Sequence, residues 1–327
     1  MSDPIFNEAE YLAANPDVAV AVKEGNFCSG REHYERHGER EGRMLKRLFG
    51  RTSREEKVFH LLDKTGLGLE IGPSHNPVAP KNKGFNVHIL DHASAAELRN
   101  KYQGHGVNLD NIEEVDFVWH GESLQELIGE TSCYDWIIAS HVIEHVPDLI
   151  SFLRQCEALL KPAGVLSLVI PDKRYCFDYF RWPSSTGDAL QAYTERRTRH
   201  APGTVFDHFS NAAKMGGMPA WAPQMRGEMS FIHSAEEARS AWVQAQKNDE
   251  YIDAHSWRFT PSSFRLILHD LQGLQLINLV EIGGFDTEGC EFFITLAKRQ
   301  ANSLKYDRIQ LAQSVVREIA DGARILL

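Results

Sequence analysis

The chain has no paired cysteines. Its five, Cys28, Cys133, Cys156, Cys176 and Cys290, stand singly, with no C-x-x-C among them. That spacing suggests neither a disulfide framework nor a thiolate zinc site. No run of about 18 apolar residues occurs, so no transmembrane helix is expected. The start, "MSDPIFNEAE", lacks the basic residues and apolar run of a signal peptide. Positive charge is also short: 35 Lys and Arg against 45 Asp and Glu give a net charge of −10 over 327 residues. Neutralising phosphates needs the opposite balance, so a general nucleic-acid binder is not expected and only a local basic patch stays open. What remains, 43% hydrophobic and 24% charged residues, is the mixture of a globular protein in a reducing, cytoplasmic setting.

One more absence is local. "GLEIGPSHNP", residues 68–77, reads as a strand entering a nucleotide-binding turn, but only its first glycine is present. In a dinucleotide site the later glycines let backbone approach a pyrophosphate and let helix pack on strand. A ligand without phosphates relaxes that demand: it needs one tight turn at Gly72 and an acid for a polar or cationic group. Asp91, at the end of "VHILD", follows Glu70 by 91 − 70 = 21 residues, the spacing of a strand-tip acid for ribose hydroxyls. Asp91 also suits the N-cap of the following helix. A nucleoside with a cationic, phosphate-free tail, such as S-adenosylmethionine, satisfies all of this.

Along the chain, residues 1–45 read as a small helical module, and 46–65 as a basic linker with a little helix. From 66 to 300, "GLGLEI", "FNVHIL", "VDFVW", "YDWIIAS" and "GVLSLVI" alternate with helical stretches, and "LQLINLVEI" and "CEFFITLAK" close as two strands joined through "GGFDTEG". Such alternation implies βαβ units and a mostly parallel sheet with both faces buried, and the two closing strands suggest a hairpin at the sheet edge. Residues 172–258 form an insert after the fifth strand, rich in aromatics, His and Arg. Residues 301–327 place Leu304, Leu311, Val315, Ile319 and Ile325 on one helical stripe, an amphipathic helix for packing or for a homodimer.

The core resembles the class I S-adenosylmethionine-dependent methyltransferases in four segments taken in order: "LEIGPS", "HILD", "SHVIEHVPD" and "LLKPAGVLSLVIPD". The resemblance implies an α/β, doubly wound, Rossmann-like sheet of seven strands, mostly parallel with the last antiparallel. It implies S-adenosylmethionine as cofactor and S-adenosylhomocysteine as product. Carried over, the cofactor contacts are Glu70, Ile71, Gly72, Pro73, Ser74, Asp91, His92, Ser140, His141 and His145. Ser74 replaces a usual glycine. His120 stands where an acid is usual, so His120, Gly121 and Glu122 meet the adenine in another way. The alternatives for Glu144 and His145 are a hydrogen-bonded structural loop or, from the H-x-x-E-H spacing of 141–145, a zinc site. That motif needs a continuous helix. Here an apolar strand leads in and Pro147 follows, so no metal is expected.

Ligands of open α/β sheets bind beyond the carboxyl ends of the strands. Asp172, Lys173, Arg174 and Tyr175 stand there, as acceptor binders or as a solvated loop, with His233, Trp257 and Arg258 further candidates. A hydroxyl acceptor needs a base, and His is the usual one near neutral pH. The candidates are His208 or His255, oriented by Asp207 or Asp253. The N-terminal stretch, with Tyr11, Leu12, Asn15, Pro16, Asp17, Val18, Gly25, His33, Tyr34, Gly38, Glu41, Gly42 and Arg43, resembles a module attached to bacterial glycosyltransferases and surface-polysaccharide enzymes. It implies docking to such enzymes, a location reaching the periphery of the inner membrane, and O-methylation of a glycan sugar stacked on Trp182, Trp221 or Trp257. A small metabolite, a lipid carrier and a non-catalytic scaffold stay open as alternatives.

Overall fold

The computed structural model describes residues 6, 8–23, 25–38, 41, 43, 52–247, 251–298 and 306–323. Residues 46–51 of the linker, and Gly42, Leu304 and Ile325, lie outside them. Seven strands form the main sheet: β1 (Gly68–Ile71), β2 (Val87–Asp91), β3 (Phe117–Val118), β4 (Tyr134–Ser140), β5 (Leu160–Pro171), β8 (Leu279–Glu288) and β9 (Glu291–Lys298). Their order is β3-β2-β1-β4-β5-β9-β8. The first five pair in parallel, and β9 runs antiparallel between β5 and β8. This is the doubly wound, mostly parallel sheet with an antiparallel last strand that the alternation and the resemblance imply. The closing hairpin differs in detail. "GGFDTEG" is mostly strand, not connection, because β8 runs to Glu288 and the chain reverses at Gly289 and Cys290.

Neighbouring residues of β4 explain the near-continuous apolar runs. Ile137 and Ala139 face one core, with the helices Leu149–Leu159 and Pro261–Gly273. Trp136 and Ile138 face the other, with Val58 and Phe59 at the end of a helix capped by Ser53 and Glu56. Gly68 has a steric task here. A Cβ on it would lie 2.1 Å from the Trp136 ring, which is fully buried. Gly68→Ala therefore overpacks the second core. An expected cost of about 1–3 kcal/mol lowers the melting temperature by about 1.5–4.5 °C, read by thermal denaturation.

The insert holds helices Thr186–Thr194, Pro202–Asn211 and Ala235–Lys247, and a small hairpin of β6 (Ala213–Met215) and β7 (Met229–Phe231). The final helix, Arg308–Ala323, packs on Pro261–Gly273, with Leu311 buried and Glu318 accepting from the Ser262 hydroxyl. In the N-terminal module the resembling pattern reads as packing. Tyr11 is buried and bonds His33, and a Cβ on Gly38 would meet the Tyr11 hydroxyl at 2.2 Å. Among the described residues no helix is long and apolar enough to cross a membrane.

Candidate active site

Two adjoining regions lie beyond the carboxyl edge of the sheet. The first is the turn after β1. Gly72 takes a φ of +66°, and a Cβ on it would press on Val142 at 3.0 Å, so the β4 loop closes against this turn. Ser74 follows at φ +52°, a left-handed conformation that a non-glycine residue holds only when tied down. The tie is Asp91, whose Oδ2 accepts the Ser74 N–H at 2.8 Å while Oδ1 accepts the His92 N–H at 2.8 Å. The exposed His92 ring also rests on Oδ1 at 2.6 Å. Glu70 holds the far side of the same loop, accepting the N–H groups of Val78 and Ala79 at 2.6 and 3.0 Å. Burial pushes its carboxyl up to about 7 against those two donors.

Ile71 is a core residue and Pro73 a half-buried member of the turn. His120 and Gly121 are exposed after β3, where Glu122 turns back to accept the His120 N–H. Buried in the turn, Ser74 Oγ and His75 Nδ1 have no hydrogen-bond partner. A bare glycine corner, a strand-tip acid with acceptor capacity to spare and two unsatisfied polar atoms fit a polar, phosphate-free nucleoside.

The loop after β4 links this turn to the second region. Ser140 accepts from Arg54 at 2.8 Å, and Arg54 also forks onto Glu291 at 2.7 and 3.1 Å. Glu291 takes the His141 Nε2 at 2.8 Å. Burial lowers the His141 pKa, but Glu291 and Glu144 outweigh it and hold it above the usual value.

The second region is a cavity of about 400 Å³ between the sheet edge and the insert. Its wall brings together His141, Glu144, His145, His208, Asp253 and His255. Of the base pairs expected from sequence, neither forms. Asp207 is exposed and does not line the cavity, and Asp253 pairs with His145 Nδ1 at 2.7 Å. His255 is instead held through Nδ1 by Asp178 at 2.5 Å, and Asp178 is clamped by Arg181 at 2.9 Å. Although burial opposes it, the charges of His255 and Arg181 hold the Asp178 carboxyl well below the usual range. Asp253 behaves alike: burial resists, but the His145 hydrogen bond and charge hold its carboxyl well below the usual range.

A carboxylate only accepts, so each of these Nδ1 atoms carries a hydrogen, and in the neutral ring each Nε2 keeps its lone pair. His208 is the reverse. Its Nδ1 accepts the His255 N–H at 3.1 Å, so its hydrogen sits on Nε2, and burial and His255 push its pKa down to about 3. His208 lines the cavity with a hydrogen to donate and is a poor base.

The loop read as an acceptor binder is turned inward. Arg174 forks onto Asp172 at 2.9 and 2.6 Å, Thr287 closes the pair, and Lys173 donates to the Tyr179 carbonyl at 2.8 Å. All four residues from Asp172 to Tyr175 are buried and none lines the cavity. Trp257 is a core residue donating to the Val146 carbonyl, Trp221 is buried, and Trp182 is exposed. Arg258 donates to the Trp182 carbonyl, and His233 packs on Phe209. None of these lines the cavity. Asp178, Arg181 and Arg54 were not singled out from sequence. The D-x-x-R spacing in "CFDYFR" and the capping box in "SREE" are the signals that could have found them.

The family profile described as "Methyltransferase domain" matches residues 40–279. A 52-residue stretch is 44% identical to the human mitochondrial ubiquinone biosynthesis O-methyltransferase, covering 16% of this chain and 14% of that protein. The match thus spans about a seventh of the relative. Among solved structures, the CcbJ methyltransferase from Streptomyces caelestis is 14% identical, with 77% of this chain and 91% of that one covered at a TM-score of 0.42. A 1,6-didemethyltoxoflavin-N1-methyltransferase from Burkholderia thailandensis, solved with S-adenosylhomocysteine, is 11% identical, with 92% and 94% covered at a TM-score of 0.40.

Proposed function

We propose an acceptor for this chain, which belongs to the methyltransferase-domain family: a hydroxyl group on a small molecule seated in the cavity beside His255. The enzyme is S-adenosylmethionine-dependent. When bound, the cofactor supplies a methyl group on a sulfonium and leaves as S-adenosylhomocysteine. Glu70, Gly72, Ser74 and Asp91 would hold it at the turn after β1, and the loop at Ser140 and His141 lies between that turn and the cavity. The observation that carries the acceptor reading is the cavity wall, with two imidazoles whose Nε2 lone pairs are free and a buried carboxylate. A hydroxyl must lose its proton as its oxygen is methylated, whereas an amine or thiol needs less help. His255, oriented by Asp178, is the first choice to take that proton. His208 donates to the acceptor, and confinement of both partners supplies the alignment that in-line transfer requires.

A cavity of about 400 Å³ suits a small molecule or one sugar unit. The glycan reading rests on the N-terminal module, because no tryptophan lines the cavity. Incubating the full chain with methyl-labelled cofactor and a panel of phenols, sugars, amines and thiols tests the proposal. Label in alkali-stable ethers is expected. Label confined to amines or thiols overturns hydroxyl acceptance, and cofactor binding with no turnover on the whole panel overturns catalysis.

A further inference from the structure

We propose that Glu144, His145 and His255 form a binding site for one divalent transition-metal ion of the zinc class on the cavity wall. One donor atom from each lies within 4.8 Å of the others. Glu144 is fully buried, and neither of its carboxylate oxygens has a hydrogen-bond partner. The nearest basic atoms, His141 Nδ1 and His145 Nε2, stand 3.7 and 3.9 Å away. A buried carboxylate without a hydrogen bond is costly; the imidazoles beside it stand at ion-pair rather than hydrogen-bond distance, and a metal cation between the carboxylate and the rings supplies the direct contact it lacks. Both imidazoles are already prepared for one. Asp253 and Asp178 each hold an Nδ1, at 2.7 and 2.5 Å, the outer contact that fixes tautomer and ring direction in metal-ligating histidines. The rings meet edge to face at 4.5 Å.

Two nitrogens and one carboxylate oxygen select zinc, cobalt or ferrous iron over magnesium or calcium, which prefer all-oxygen sets. Bonds of about 2.0–2.1 Å place tetrahedral ligand atoms about 3.3 Å apart, so modest side-chain rotation closes the site. Three protein ligands leave a coordination position towards the cavity. The H-x-x-E-H spacing pointed near here for a reason that does not hold. Residues 143–145 form a turn, not a helix, and the third ligand comes from the insert. The role of the ion rests on the hydroxyl-acceptor reading above. It takes over the task given there to His255, lowering the pKa of the bound hydroxyl so that its proton leaves to water.

The test uses the full chain, stripped with chelator and titrated by calorimetry without cofactor or acceptor. One equivalent of Zn²⁺ is expected to bind, Co²⁺ to bind with visible d–d absorption of nitrogen and oxygen ligation, and Mg²⁺ not to compete. His255→Ala and Glu144→Gln lose the binding, Asp178→Asn weakens it about 10–100-fold, and His208→Ala keeps it. No stoichiometric binding by a chain with an intact melting transition overturns the site, as does binding that survives His255→Ala and Glu144→Gln combined. Hydroxyl methylation that persists at full rate after complete metal removal overturns the role given to the ion. A bound ion with no methylation of any hydroxyl overturns the acceptor reading and leaves the site standing.

Discussion

His255→Ala is expected to lower kcat by about 10³-fold, whether the ring takes the proton itself or holds the ion that takes over that task, while cofactor affinity stays within about twofold. His255 stands on the cavity wall and not in the turn that holds Gly72 and Asp91, so the loss falls on turnover. The fold survives the change because Asp178 keeps its clamp from Arg181, so no buried charge is stranded. Asp178→Asn is the harsher structural change, since it removes the charge facing Arg181 in a site nine-tenths buried or more. Rates and cofactor titrations on His255→Ala, with a melting curve, separate the cases; an unchanged kcat ends the assignment.

The same site predicts an acid limb in the rate profile. Burial lowers the pKa of His145, but the Asp253 hydrogen bond and the Glu144 charge prevail and raise it. An imidazolium neither accepts a proton nor binds a metal, so activity falls as pH drops through a value above the ordinary histidine one. Asp253→Asn removes the largest raising contribution, and the limb moves to lower pH.

Asp91→Ala is expected to weaken cofactor binding by about 10²-fold, with a smaller loss of stability. Hydrogen bonds to a charged group contribute about 1.5–3 kcal/mol each, and this carboxylate serves two purposes. It offers acceptor sites for ribose hydroxyls, and it anchors Ser74 in its left-handed conformation. Without the anchor the turn relaxes and the corner is no longer shaped in advance. Ser74→Gly is the control. It removes the strain at φ +52° and keeps the backbone N–H that Asp91 accepts, so losing Oγ alone is expected to cost less affinity than Asp91→Ala. Calorimetry with S-adenosylhomocysteine reads both, and unchanged affinity in Asp91→Ala displaces the cofactor from this corner.

The strands were legible because their apolar runs are local signals, and the tips of β1 and β2 could be paired by spacing alone. The partners of His255 and His145 were not. A histidine's orienting acid is chosen by which segments cross, and here Asp178 reaches His255 while Asp253, two residues away in sequence, turns to His145. Lys173 and Arg174 misled for a related reason. A run of charges reads as a solvated loop, but a carboxylate two residues earlier and a hydroxyl at Thr287 satisfy Arg174 indoors. Arg54 sat in a stretch that composition labels linker, and its contacts with Ser140 and Glu291 join segments far apart in the chain.

The placement of β9 between β5 and β8 has a consequence for synthesis on the ribosome. When β5 has emerged, its open side faces no neighbour, and the whole insert is translated before Glu291–Lys298 can fill the gap. For that interval a long, apolar rim with unpaired amides is exposed to other nascent chains, the situation that invites strand-to-strand aggregation. The last strand to be made is the one that seals it.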